Sequence, residues 1–314
     1  MGIYCFYHVC SVPKGIEVFK DQLKLIKNSG LLNKIDKIFI GVLGDYFNFL
    51  NLPEYLSEPK LQVVYFSKNV NEMEFPTIIN IKNFCDNSKE NHKILYIHTK
   101  NVRYPNSLNH YQWRKFLEYF NIERHFDCIK DLDTHDVCGV NYKIKPWKHF
   151  SGNFWWANSQ YIKNLIHPIN LPREGTRLGN GGRYNTEKWL LTHININKNN
   201  KLEVISGYYG ISENDSMDIT DKLRSIIKDN RLYIKMTDNI NNLFERDPNP
   251  MKPKQIFVKY KINDIVKTEL VLENRNRLNK DLLIDVCQIK IKCYHQSNLN
   301  HYNDPYPREL YEIK

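Results

Sequence analysis

His98-Thr99-Lys100-Asn101 sets an imidazole, a hydroxyl, an ammonium and an amide in four consecutive positions, directly after the apolar run Lys93 to Ile97. Lys100 is a point charge suited to a phosphate, and His98 can donate a hydrogen bond or act as a general acid. A solvated turn in a lysine-rich chain accounts for the same residues. A second stretch, His149-Phe-Ser-Gly-Asn-Phe-Trp-Trp-Ala-Asn158, holds two of the chain's five tryptophans side by side. Gly152 lets a backbone approach a ligand, Asn153 both donates and accepts, and the indole faces of Trp155 and Trp156 suit the C–H face of a pyranose. A buried strand carrying two tryptophans fits the residues equally well. In a third stretch Thr186 can cap a helix running through Leu191, so Glu187 projects from its first turn. There it either favours the helix dipole, worth about 0.3–1 kcal/mol, or serves as a general base facing a cleft. Asp131-Leu-Asp133 has the look of a metal motif, but it follows a helix instead of ending a strand, and a turn or cap is the plainer reading.

The elements that must position these groups alternate. Residues 3–9 read as a buried first strand, Lys37 to Leu43 as a second, Leu61 to Phe66 as a third and Lys93 to Ile97 as a fourth. Helical patterns fall between them, at residues 15–29 and around Pro76 to Cys85, and an amphipathic region covers 109–132. This order predicts an α/β fold, a mostly parallel sheet flanked by helices, with ligands at the carboxyl ends of the strands. Strand Asp136 to Val140 and a short helix from Gln160 to Leu165 follow. Gly179 to Arg183 reads as a flexible turn. Asn195 to Lys201 is an Asn-rich linker, and beyond it the pattern turns to β. Gln255 to Ile262 alternates with period two and reverses at Asn263-Asp264 into Ile265 to Leu272, a hairpin. Leu283 to Tyr294 reads as one further strand. The expected domains are 1–200 and a β-rich 204–314.

The 314 residues suffice for two domains with real cores, and a net charge of +10 favours an anionic partner. Seven cysteines, an odd number without a CxxC pair, fit reduced thiols and no zinc site. No run reaches membrane-spanning length, and the amino terminus lacks a signal peptide's basic region and cleavage site. A soluble, cytoplasmic protein is expected. Nucleic-acid binding is disfavoured, because the basic residues form no stripe and no known motif occurs.

Three blocks together resemble a group of glycosyltransferases found in bacteria and large DNA viruses, related in character to rhamnan-synthesis transferases. They are Glu74-Phe-Pro-Thr77, Tyr96-Ile-His-Thr-Lys100, and His149 to Ala157 followed by Arg183 to Trp189. The resemblance implies a GT-A-like, Rossmann-type nucleotide-sugar domain over the first 200 residues, and transfer of a hexosyl or deoxyhexosyl group to a hydroxyl of a glycan or glycoconjugate. It implies catalytic roles for Glu187 and His98, donor contacts from Lys100, Thr99, Arg103 and Thr77, and a sugar and acceptor pocket from Ser151, Gly152, Asn153, Trp155, Trp156 and Arg183. Where most GT-A enzymes carry a metal-binding Asp-x-Asp, this chain has His98-Thr99-Lys100. No residue is therefore assigned to a metal, and divalent-metal dependence is left open. A lysine can neutralise a leaving diphosphate as a divalent ion would, with less charge. If Glu187 deprotonates the acceptor, attack is direct and the anomeric configuration inverts. Residues 204–278 separately resemble a small β-rich domain at the carboxyl terminus of a mitochondrial DnaJ homologue, through Gly207-Tyr-Tyr-Gly210, Asp218-Ile-Thr220, Asp247-Pro248 and Lys254 to Tyr260. That implies an accessory module, through which a protein partner could bind. The competing reading is a non-catalytic carbohydrate- or protein-binding module that uses the tryptophan stretch as a platform; it predicts binding without release of a nucleoside diphosphate.

Overall fold

The structure is a computed structural model that describes residues 1–145, 147–171, 183–192, 202–228, 231–262, 265–274, 276–285, 289–296 and 304–312. Most of the expected turn at 179–183, the linker at 195–201 and Cys287 lie outside the described residues.

Alternating β-branched and aromatic residues make β1 (Ile3–Ser11), β2 (Lys37–Gly44), β3 (Leu61–Ser67) and β4 (Lys93–His98). β1 lies between β4 and β2, with β3 outside β2, and all these pairs are parallel. Next come β5 (Val137–Gly139), a two-stranded ribbon of β6 (Tyr142–Lys143) and β7 (His149–Phe150), and β8 (Trp155–Asn158). β8 runs antiparallel between β4 and β5. A late strand, Ile291–Cys293, adds itself parallel to β5 and completes a seven-stranded, mostly parallel sheet.

Helices cover both faces, as the alternating pattern predicts. The Pro13–Asn28 helix buries Ile16, Phe19, Leu23 and Ile26 with Cys5 and Tyr7 of β1 in one core. The Phe75–Asn87 helix starts on Pro76, whose fixed φ and missing N–H suit a first turn, and buries Ile78, Ile81 and Cys85 with Phe6 in the other. β8 serves both cores. Strand alternation sends Trp155 to the core with Phe6 and Tyr96, and Trp156 to the core with Tyr7 and Phe116. Both indoles are at most 1% exposed and both N–H groups are satisfied, Trp155 donating to Asn153 Oδ1 at 3.0 Å and Trp156 to the Asn121 carbonyl at 2.9 Å. The paired indoles are core, not a sugar platform.

Two compact units result, one of residues 1–195 with 289–314, the other of 196–288. The expected division at 200 therefore misplaces the carboxyl terminus, which belongs to the first unit. The expected single strand from Leu283 to Tyr294 is two, because Leu282–Asp285 pairs with Arg231–Ile234 inside the second unit while Ile291–Cys293 joins the first unit's sheet. The second unit is otherwise an antiparallel five-stranded sheet built on the predicted hairpin, Lys254–Ile262 against Ile265–Asn274. Its motif residues hold the fold: Thr220 Oγ1 accepts from Gly207 N at 2.9 Å, and the buried Lys254 ammonium sits 3.2 Å from both Asp247 and Glu273.

Candidate functional site

β1 and β4 end together, with His8 opposite His98 in the register, and a cavity of about 400 Å³ opens beyond them. Thr99, Lys100, Asn101 and Arg103 form one wall, Met73 and Glu74 another, and His110 and Trp113 of the Leu108–Glu118 helix a third. A crevice past the carboxyl ends of parallel strands is the usual ligand position in open α/β sheets.

Glu74, just before the Phe75–Asn87 helix, is the carboxylate of this cavity. Its Oε2 accepts from the Tyr96 hydroxyl at 2.9 Å and from Asn153 Nδ2, while Oε1 faces His98 Nδ1 at 3.9 Å. His98 Nε2 lies 3.0 Å from the Gly152 carbonyl. A carbonyl only accepts, so Nε2 carries a proton and donates to it. Gly152 N–H in turn donates to Glu187 Oε1 at 3.2 Å. Gly152 has φ +101°, and a Cβ there would lie 2.6 Å from Leu117 Cδ1. Only glycine allows this close approach.

His8 is buried, which outweighs the attraction of Glu74 and pushes its pKa down to about 4; nearby His98 adds to the fall. It is neutral at pH 7, and its Nδ1 pairs with Thr77 Oγ1 at 2.9 Å. Thr77 reaches the sheet because residue 41 of β2 is glycine: a Cβ there would stand 2.2 Å from Thr77 Oγ1. Burial and the Lys100 charge likewise lower the pKa of His110.

Thr99 binds back to β1, its Oγ1 accepting from Cys10 N at 2.9 Å, which fixes it in the cavity wall. Lys100 Nζ sits 3.8 Å from the centroid of the Trp113 ring, a cation–π contact that places the charge at the cavity wall. Asn101 is 7% exposed and left-handed at φ 74°, and its Oδ1 is buried without a hydrogen-bond partner among the described residues. A buried acceptor left unmet at a cavity wall is a natural ligand contact. Met73 and Asn101, which line the cavity, and Asn153, bonded to Glu74, all hold positive φ, strain of the kind that gathers at working sites.

The structure thus brings His98, Thr99, Lys100 and Arg103 to one cavity, with Thr77 behind His8 and the Gly152-Asn153 turn behind Glu74. It does not bring the rest. Trp155 and Trp156 are core, and Ser151 is 8% exposed with its N–H on the Asn141 carbonyl. Glu187 is not among the side chains that line the cavity. Arg183 opens the Arg183–Thr192 helix, but its side chain lies outside the described residues. Asp133, of the apparent metal motif, pairs with Lys93 at 2.6 Å, a structural role. The residues that sequence reasoning left out of the site are Glu74, His8, His110 and Trp113, and Asn101 is noticed in the sequence without being given a role. Glu74 heads a block that the sequence singles out, and His8 is a polar residue inside an apolar strand.

The family model described as "Domain of unknown function (DUF8361)" matches residues 6–200. The crystal structure of HddC from Yersinia pseudotuberculosis is similar over 56% of this chain and 87% of that one, at 12% identity and a TM-score of 0.30, too low for any functional inference. No curated protein matches the chain.

Proposed function

The chain belongs to the DUF8361 family, and we propose that it is a glycosyltransferase that uses a nucleotide-sugar donor in the cavity beyond β1 and β4. The observation that carries this reading is the placing of the cations Lys100 and Arg103 within one cavity of the carboxylate Glu74 and the imidazole of His98. Cations beside a single carboxylate suit a reaction with an anionic leaving group and a hydroxyl nucleophile.

In the proposed reaction the acceptor hydroxyl gives its proton to Glu74 Oε1 as its oxygen bonds to the anomeric carbon. The bond from that carbon to the phosphate oxygen breaks, and the electron pair leaves with the nucleoside diphosphate. Lys100 and Arg103 offset the charge that develops there, and Asn101 Oδ1 accepts from a sugar or ribose hydroxyl. One displacement inverts the anomeric configuration. Glu74 replaces Glu187 as the proposed base, because it lines the cavity and its Oε2 is already anchored by two donors. Glu187 becomes a positioning residue that holds Gly152 and, through it, His98.

The test incubates the protein with a panel of nucleotide sugars and mixed glycan acceptors, and measures nucleoside diphosphate release. Release by the wild type that is lost in Glu74→Gln supports the reading. No release from any donor, or full release by Glu74→Gln, counts against it.

A further inference from the structure

A second cavity, about 440 Å³, lies under the far end of the Phe75–Asn87 helix, between that helix and β1, β2 and β3. Its floor is aromatic. The rings of Tyr4, Phe39 and Phe84 pack against one another at centroid distances of 4.7–5.9 Å; they lie at the edge of a core and are half-buried, so part of each borders the groove. One wall is a row of amides, Asn80, Asn83 and Asn87, spaced three and four residues apart and so stacked on one helix face. Among the described residues, none that lines it is Asp, Glu, Lys or Arg. In a chain of net charge +10, that neutrality sets the groove apart from the Lys100 cavity.

The hydrogen bonds already made show what the amides have left to offer. Asn80 and Asn87 each spend an Nδ2 proton on a carbonyl four residues back, at 2.8 and 2.9 Å, so their Oδ1 atoms remain acceptors. Asn83 Oδ1 receives His167 Nε2 at 3.0 Å, so its Nδ2 remains a donor. His92 Nδ1 accepts from Gly2 N at 3.0 Å, which leaves the proton of the neutral ring on Nε2. The row therefore offers both acceptors (Asn80 and Asn87 Oδ1) and donors (the remaining amide protons and His92 Nε2–H) beside an aromatic floor. A hydroxyl, which both donates and accepts, can use both kinds of group, and no cation among the described lining residues favours an anion.

We propose that this groove binds a neutral saccharide, its C–H face on Phe39 and Phe84 and its hydroxyls on Asn80, Asn83 and Asn87. The inference stands apart from the transferase reading. Thr77, behind His8 of the first cavity, and Asn87 are ten helical positions apart, about 15 Å, and the two cavities share no described lining residue, so the two sites are distinct.

Saturation-transfer NMR on the full chain tests it, with the neutral methyl glycosides of glucose, galactose, mannose, rhamnose and N-acetylglucosamine as probes. At least one glycoside should receive saturation. The double variant Asn83→Ala/Asn87→Ala, which removes two hydrogen bonds from an exposed helix face, should weaken that binding roughly tenfold or more. Asn87→Lys, which puts a charge into the neutral groove, should also weaken it, while Lys100→Ala and added inorganic phosphate should leave it unchanged. Saturation of no glycoside, undiminished binding to both groove variants, or displacement by phosphate would each overturn the proposal. Loss of nucleotide binding in Lys100→Ala with the glycoside signal intact would separate the fate of this site from that of the first.

Discussion

Glu74 and Glu187 are tied to the same turn, Glu74 through Asn153 and Glu187 through the Gly152 amide, and of the two only Glu74 lines the cavity. The two carboxylates should therefore respond differently to the same substitution. Glu74→Gln should abolish transfer while nucleotide binding persists. Glu187→Gln, whose amide oxygen can still accept from Gly152 N–H, should keep most of the turnover; a complete loss there would return the base to Glu187. His8 carries a separate, pH-dependent signature. Its folded pKa of about 4 lies below the ordinary 6.5, so between those values the unfolded chain binds more protons than the folded one. Stability must then fall as the pH drops through that window and level off below about 4, by about 3 kcal/mol for the full shift. His8→Gln, which keeps a partner for Thr77, should flatten that slope in urea titrations at pH 7, 5.5 and 4. An unchanged slope would show that His8 is not the group responsible.

At the scale of elements, β8 is where residue type and role part company. Period two over the four residues of β8 is too short to tell a buried strand from a ligand loop, so Trp155 and Trp156 were legible as unusual but not as core. Their neighbours decide it: β4 and β5 flank β8, and these partners are about 20 to 60 positions away in the chain. Trp156→Ala should therefore cost about 3–5 kcal/mol of stability, read from the denaturant midpoint. In the variant that remains folded, nucleotide affinity should be unchanged, whereas a sugar platform would lose affinity first. The first four strands were legible because each is a β-branched and aromatic run bounded by breakers, and the His98 to Lys100 run was legible because it ends one of them. The approach of Thr77 to β2 was not. It depends on a missing Cβ at Gly41, and Gly41→Ala should cost about 1–3 kcal/mol and loosen the Thr77–His8 pair.

For the whole molecule, chain order hides that residues 289–314 return to the first unit. A polar linker near residue 200 marks one boundary well, but nothing local in Ile291–Cys293 says that its partner is β5, some 150 positions earlier. The consequence is testable. A chain cut at residue 200 leaves β5 as an open edge and removes Tyr306 and Tyr311 from the core around Phe116, and should aggregate or melt early. A chain in which a short Gly/Ser linker replaces 196–288 should fold and bind nucleotide as the intact protein does; equal behaviour of the two truncations would contradict the division. Among the described residues no helix is long and apolar enough to cross a membrane. The measurement that bears most directly on the whole account is the melting temperature of the intact protein and of Lys100→Ala across a panel of nucleotide sugars, since a ligand that binds the native state raises its stability by mass action. The account predicts that at least one donor raises the melting temperature of the wild type and that Lys100→Ala loses most of that rise. Stabilisation of neither protein, or equal stabilisation of both, would contradict it.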